Sequence, residues 1–304
     1  MRLLFGIVLF CLTIHVALSD EKNEGWIFTP SVGVNRLNLA TFFNTVYKAP
    51  FVGTVQITTD LPENVQGQNQ YPVEPFFFKN DLKRSPVDVE AGLEMRRNFG
   101  RSNDFFIGIN SWETYSASVP ILITFPIQGA RFNQANYTRQ GKLSYTQFYV
   151  GIRNYLTPRS KPLSFYFNLG LHELYDVRYQ EKDIFEFISG PPAGFKRIFV
   201  FKSSSTGILM MQFGIGAEYR IAEKFSVGIQ GAYAFHIQDG FLRGVTVSDD
   251  TNNGDRIKSP PRVLDVINPS LDAGALDSQG VSHDKVYLRF DGWHALITFN
   301  IDFY

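Results

Sequence analysis

Residues 207–235 read GILMMQFGIGAEYRIAEKFSVGIQGAYAF, and this stretch decides the fold class. Every second residue from Leu209 to Tyr219 is apolar and mostly large, and the alternation resumes at Phe225 after a short break. Successive side chains of a β-strand point to opposite faces, so the pattern predicts two strands joined by a tight turn.

The intervening residues of this hairpin are small or polar. Gly214, Gly216 and Gly228 stand in this series together with Gln212 and Glu218. A soluble β-sandwich strand also alternates, but its inward face must be bulky to fill a core. Large residues on one face and small polar ones on the other suit a barrel whose outside meets lipid. The hairpin therefore favours a membrane barrel, with a soluble sandwich as the alternative.

Six further segments show the same alternation. The clearest is VDVEAGLEMR, residues 87–96, in which apolar residues alternate with polar residues or glycine without interruption. The run VPILITFPI at 119–127 is an additional candidate, although its two prolines argue against a central strand. With the hairpin, the predicted strands cover 26–40, 87–96, 105–116, 142–156, 162–175, 207–220, 225–236 and 286–303.

The predicted connections alternate in length. Long ones at 41–83, 117–141, 176–204 and 239–285 follow the odd-numbered strands, whereas short turns follow the even-numbered ones. Outer-membrane barrels carry short turns on one rim and long external loops on the other. The sequence thus predicts an all-β, antiparallel, up-and-down transmembrane β-barrel of eight strands. Ten strands are the alternative, since two more could lie within the long connections.

The N-terminus predicts export. Residues 1–19 combine Arg2, a long apolar run and the small residues Ala17 and Ser19, which is the pattern of a cleaved signal peptide. The one cysteine, Cys11, lies inside this segment, so the mature chain has no disulfide chemistry. An exported chain without disulfides suits a Gram-negative envelope. We expect residues 20–304 to form a barrel in the bacterial outer membrane.

Composition agrees with this class of protein. Lys+Arg and Asp+Glu both number 29, so no basic surface for nucleic acid is implied. After the signal peptide, no stretch approaches the roughly 18 apolar residues of a membrane helix. Aromatic residues nevertheless make up 15% of the chain, which is typical of a barrel with aromatic girdles.

Three segments carry a resemblance to a known group. The quoted hairpin, FYVGIRNYL at 148–156 and ALITFNIDFY at 295–304 resemble small eight-stranded outer-membrane proteins of the OmpA-barrel and OmpW-like kind. The resemblance lies in strand pattern and topology and covers most of 26–304. It implies that the barrel-assembly machinery reads an aromatic C-terminal residue. Here Tyr304 is aromatic, but the outward phase of the last strand falls on Phe303.

Charged residues are predicted inside the barrel. Buried charges must be paired, so these residues form a candidate network that stabilises or gates the lumen. An eight-stranded barrel is just wide enough to be filled by its own side chains, which favours a plugged lumen. The many inward glycines favour an open pore instead. The candidate network comprises Asp88, Glu90, Glu94, Arg96, Arg153, Glu218, Arg220 and Asp302.

No catalytic pattern stands out. His172 and His236 are predicted to face inward, where a hydrogen-bonding role is the simpler interpretation. We predict no catalytic, cofactor-binding or metal-binding residue and interpret the chain as a non-enzyme. The expected role is structural or surface-interacting, through the long loops. Expected partners are outer-membrane lipids, lipopolysaccharide, the barrel-assembly machinery, and a small solute or surface ligand. The alternatives are a narrow channel for small solutes and a hydrolase at the rim.

Overall fold

The computed structural model of the chain is built from antiparallel β-strands. Among the residues that it describes, no helix has the length and apolar character to span a membrane. The predicted signal peptide, 1–19, lies outside the described residues. The described residues are 25–39, 42, 53–56, 70–73, 83–84, 88–99, 102–117, 120–127, 131–158, 161–189, 193–194, 196–205, 207–238, 240–249 and 287–303.

The described residues form sixteen strands, numbered here in chain order. The eight that build the barrel are β1 (Trp26–Leu37), β5 (Asp88–Phe99), β6 (Asn103–Ala117), β8 (Arg131–Tyr155), β9 (Leu163–Phe187), β11 (Ile208–Ala222), β12 (Phe225–His236) and β16 (Gly292–Phe303). The others are β2 (Gly53–Gln56), β3 (Gln70–Val73), β4 (Lys83–Arg84), β7 (Ile121–Ile127), β10 (Lys196–Ser205), β13 (Gly240–Phe241), β14 (Arg243–Asp249) and β15 (Tyr287–Leu288).

The eight barrel strands close into a ring. Their order is β1–β5–β6–β8–β9–β11–β12–β16, and β16 pairs back onto β1, each pair being antiparallel. When paired residues are followed from Ile27 through each strand of the ring in turn, the path returns to β1 at Leu37 rather than at Ile27. Such a stagger tilts the strands, as closure requires. The predicted eight-stranded up-and-down barrel is confirmed, and no described strand adds a ninth or tenth member to the ring.

The two ends of the ring differ in their connections. At one end, called the turn end, only the short segments 100–102, 156–162 and 223–224 separate neighbouring ring strands. β1 begins and β16 finishes at this same end, where Trp26 pairs with Phe303. The long connections lie at the opposite end, called the loop end. The predicted alternation of connection lengths is therefore found in the ring.

β8 and β9 continue beyond the ring at the loop end. Their outer parts pair with each other and carry β7 on one side and β10, followed by β14, on the other. This sheet is called the extension. It occupies much of the predicted connections 117–141 and 176–204. The segment 119–127 lies at its edge as β7, outside the ring, which fits a proline-bearing strand.

A β-bulge marks the place where β9 leaves the ring. The register shifts between Thr146 and Gln147, which leaves Tyr175 without a paired residue on β8. Bulges bend a strand and increase its twist. The Tyr175 ring stacks on Phe148, with centroids 4.7 Å apart. The bulge thus redirects the two longest strands away from the ring.

The outward face of the ring is apolar. Val32 pairs with Ile297, and Ile297 pairs with Ile229, so exposed side chains of neighbouring strands lie side by side. Soluble monomers seldom expose a contiguous apolar surface on this scale. This surface is called the apolar belt. It includes Val32, Val34, Val89, Leu93, Met95, Ile152, Leu163, Phe165, Leu169, Phe213, Ile215, Ile229, Phe235, Trp293, Ile297 and Phe299.

Aromatic side chains occupy the space beside the inward glycines. A Cβ atom added at Gly108 would meet the ring of Tyr149 on β8, and one at Gly216 would meet the ring of Tyr166 on β9. Both tyrosines are buried. The glycines therefore leave space into which large side chains from adjacent strands pack. The room that they were expected to leave for a pore is filled in this way.

This packing predicts that alanine substitutions at two glycines of one hairpin differ in their effect on stability. Gly216→Ala should destabilise the barrel by about 1–3 kcal/mol, because the new methyl group overpacks against Tyr166. Gly231→Ala is the control, since a Cβ there meets nothing within 4 Å. Urea unfolding of both variants in detergent micelles measures the difference. Equal unfolding midpoints would show that the Tyr166 ring is not held against Gly216.

Candidate functional site

The lumen of the ring is the candidate site. The uninterrupted alternation of 87–96 places the side chains of Asp88, Glu90, Glu94 and Arg96 on the inner face of β5, and all four are buried. Isolated buried charges are strongly unfavourable, so each requires a partner. The partners come from other strands, which are adjacent to β5 or opposite it in the ring.

Arg96 is the centre of the charge network near the turn end. Its side chain is 0% exposed. Its Nη1 atom lies 3.3 Å from Glu218 and 3.6 Å from Asp104, and its Nε atom lies 3.7 Å from Glu94. Nη1 also donates a hydrogen bond of 2.8 Å to the Tyr155 hydroxyl. One guanidinium thus links β5, β6, β8 and β11.

Arg153 extends this network towards the middle of the lumen. Its Nη2 atom donates to Glu94 at 3.1 Å, so Glu94 lies between the two arginines. Its guanidinium carbon lies 4.2 Å from the centroid of the Tyr166 ring, in cation–π geometry. The same ring that packs over Gly216 therefore also orients a lumenal cation.

A second group surrounds Glu90 nearer the loop end. His294 Nδ1 lies 3.0 Å from both carboxylate oxygens of Glu90. The side-chain amides of Asn35 and Asn110 donate to the same carboxylate at 3.2 and 3.3 Å. Thr114 donates to Asp88 at 2.7 Å one layer further along. Four ring strands, β1, β5, β6 and β16, thus contribute to this part of the lumen.

A small polar cavity lies between the two groups. Its volume is about 30 Å³, which is room for one or two water molecules. Its lining includes Asn110 Oδ1, Arg153 Nε, His294 Nε2 and Thr298 Oγ1, which have no hydrogen-bond partner among the described residues. His172 also lines it and stacks on Tyr149, with ring centroids 4.9 Å apart. The cavity is polar but too small for a solute larger than water.

Apolar side chains fill the ring at the loop end. Trp112 stacks on Tyr145 at 5.0 Å between centroids, and Phe290 packs edge-on against Tyr145 at 5.2 Å. His236 Nε2 accepts a hydrogen bond from the Phe290 backbone N–H at 2.6 Å, which holds that aromatic residue in place. The buried cluster also includes Leu37, Leu174, Ile208, Met210, Ala234, Leu242 and Leu288.

The predicted network residues fall into two sets. Arg220 is exposed at the turn end, where water rather than the lumen surrounds it. Asp302 is half-buried at the same end, and its backbone N–H donates to the Lys224 carbonyl at 3.0 Å. A residue in an inward-facing position at the end of a strand therefore lies at the rim of the barrel and not in the lumen. The remaining six lie in the lumen: Asp88, Glu90, Glu94, Arg96, Arg153 and Glu218.

Sequence reasoning missed several partners of these charges. Asp104 precedes the predicted strand 105–116, whereas β6 already begins at Asn103 and its Asp104 side chain is buried. The inward phase of His294 is visible in the sequence, but its pairing with Glu90 depends on how β1, β5 and β16 align. No local pattern reports that alignment.

The extension contains a further buried charge cluster. Arg139 Nε lies 2.8 Å from Asp183 and 3.2 Å from Glu181, and all three side chains are 0% exposed. Tyr137 donates to Asp183 at 2.5 Å. Burial raises the pKa of the Tyr137 hydroxyl well above its ordinary value, and so it stays a neutral donor. The cluster ties β8 to β9 beyond the ring.

Comparison with known proteins adds no family. No model of a protein family matches the chain, and no curated protein matches it. Among the described residues, no group of three or more histidine, cysteine, aspartate or glutamate side chains could hold a metal ion. The candidate site is thus defined by its geometry, as a buried network of charges with a water-sized cavity.

The charge network predicts that substitutions of two arginines differ in their effect on stability. Arg96→Met should destabilise the barrel by about 3–5 kcal/mol, because it removes the cation that two buried carboxylates and one half-buried carboxylate share. Arg220→Met removes the same charge at an exposed position and should leave the unfolding midpoint unchanged. Urea unfolding of both variants in detergent micelles makes the comparison. A similar midpoint for both variants would mean that Arg96 does not organise the lumen.

Proposed function

We propose that this protein is an outer-membrane β-barrel of the OmpA-barrel and OmpW-like kind, with a structural and surface-interaction role. The observation that carries the proposal is the apolar belt around a ring with a charged interior. A soluble barrel has the reverse arrangement, because its apolar side chains fill the core. Lipid chains are the solvent that suits the belt, and the closed ring leaves no strand edge within the membrane.

The connections support an orientation for the barrel. Short turns face the periplasm in outer-membrane barrels, and long loops face outwards. In this orientation the turn end is periplasmic and the extension stands on the outer surface. The Arg139 cluster and buried apolar side chains such as Phe185 and Phe201 give the extension a packed interior. The extension can therefore act as a fixed platform for a surface partner.

The filled lumen supports a structural role over a channel. Arg96 and its carboxylates occupy the turn end, the stacked Trp112 and Tyr145 occupy the loop end, and the cavity between them is water-sized. A solute could pass only if both groups moved. Within this proposal, the buried charges stabilise the barrel and fix its strand register rather than line a pathway.

The proposal is tested with two isoleucines on the outer face of β11. Ile215 is 62% exposed in the middle of the strand, and Ile221 is 59% exposed at the turn end. In a membrane, Ile215→Arg should cost about 2–4 kcal/mol at the midplane, whereas Ile221→Arg should cost about 0–1 kcal/mol near the interface. Urea unfolding of barrels refolded into phosphatidylcholine vesicles gives both values.

The pair is matched in residue type, strand, face and exposure. If the outer face met water instead of lipid, both substitutions would put an arginine into solvent and would cost equally little. Equal unfolding midpoints for the two variants in vesicles would therefore rule out a membrane-spanning belt.

A further inference from the structure

Lysines line a recess on the outward face of the extension. Tyr115, Lys142, Gln180 and Lys202 occupy paired positions on β6, β8, β9 and β10 and so form one row across the sheet. Gln140 and Lys182 form the next row. The recess has a volume of about 460 Å³. It is called the lysine recess and is lined by Tyr115, Gln140, Lys142, Gln180 and Lys182, with Lys202 beside Gln180.

The recess has an excess of positive charge. Lys142 pairs with Glu113 at 2.6 Å and lies 5.0 Å from the centroid of the Tyr115 ring. Among the described residues, no carboxylate lies within ion-pairing distance of Lys182 or Lys202. Two ammonium groups on one face of the sheet are thus available for an anion.

Nearby carboxylates on the same outward face already have cations. Asp176 accepts from Arg178 at 2.9 Å, and Glu186 pairs with Lys196. The charges within each of these pairs cancel, so the net positive charge of this face comes from the lysines of the recess. The surface next to the recess therefore favours a negatively charged ligand.

The recess borders the part of the barrel that the proposed function places in lipid. The outward residues of β8 from Phe148 to Ile152 are apolar, and Tyr175 stacks on Phe148 where β9 leaves the ring. Tyr115 is exposed at the start of the recess, as in the aromatic girdles that mark a membrane interface. A lipid whose chains lie on Phe148 would hold its headgroup on the side of the recess.

We propose that the lysine recess binds the phosphorylated headgroup of an outer-leaflet lipid, an inference that rests on the proposed membrane orientation. Ammonium groups form strong, charge-assisted hydrogen bonds with phosphate oxygens. The amides of Gln140 and Gln180 supply neutral donors and acceptors beside them, which suit a sugar-bearing headgroup. The apolar surface next to the recess adds contacts that a free phosphate ion cannot make.

The test compares two double variants with equal loss of charge. Lys182→Gln/Lys202→Gln removes the two lysines that lack a carboxylate partner, and so it breaks no ion pair. Lys161→Gln/Arg220→Gln removes two exposed cations at the turn end and is the control. The full-length barrel in detergent is titrated with lipid A, with dephosphorylated lipid A and with inorganic phosphate, and native mass spectrometry measures the bound fraction.

The expected result is that lipid A binds the wild type and the control equally and the Lys182→Gln/Lys202→Gln variant about tenfold or more weakly, as the loss of charge-assisted hydrogen bonds implies. Dephosphorylated lipid A should bind all three proteins weakly. Equal affinity of the two double variants for lipid A would overturn the inference. Displacement of lipid A by millimolar inorganic phosphate would also overturn it, since the site would then be one for a free anion.

The two proposals fail in different ways. Failure of the proposed function appears as equal unfolding of the Ile215→Arg and Ile221→Arg variants in vesicles. Failure of the lipid inference appears as a barrel that shows the full Ile215 and Ile221 difference but binds lipid A without regard to Lys182 and Lys202.

Discussion

The Arg96 guanidinium, shared by the buried Glu94 and Asp104 and the half-buried Glu218, is the interaction on which the rest of the structure depends. It joins β5 to β6 through Asp104 and reaches across the lumen to Glu218 on β11. The lumen at this end of the ring is therefore lined by polar partners rather than apolar side chains, because uncompensated buried charge is strongly unfavourable. The apolar side chains of the alternating strands must then face outwards. The apolar belt thus accompanies a charged lumen, and under the proposed function lipid is the surrounding that suits both faces.

Narrow barrel geometry explains how the lumen is filled. An eight-stranded ring has little interior space, so large inward residues need small ones opposite them. Gly216 and Gly108 provide that space for Tyr166 and Tyr149, and Tyr166 in turn orients Arg153. Beyond the ring, β8 and β9 no longer face a closed lumen. Their inner face packs apolar side chains around the buried Arg139 cluster, and their outward face becomes polar and cationic. Under the proposed function, this change of surface separates the membrane-spanning part from the external platform.

Much of the ring could be predicted from the sequence, because a period of two reports directly which face a side chain occupies. The inward phase of Glu94 and the outward phase of Ile215 both follow from it. Pairings such as Arg96 with Glu218 could not be predicted, since they depend on the register of strands more than 100 positions apart. The sequence predicts loops where the extension lies, because the outward residues of 134–140 and 176–182 are polar.

The most direct test of the inside-out arrangement uses the tryptophans of the chain. Trp293 is 65% exposed on the outer face of β16, whereas Trp112 is 2% exposed inside the ring. Two variants isolate them: Trp26→Phe/Trp112→Phe keeps Trp293, and Trp26→Phe/Trp293→Phe keeps Trp112. Both are refolded into vesicles of phosphatidylcholine with brominated acyl chains, which quench the fluorescence of indoles in contact with lipid. Strong quenching of Trp293 together with unquenched Trp112 is the predicted result. Equal quenching of the two, or none for Trp293, would contradict a barrel whose belt meets lipid and whose lumen excludes it.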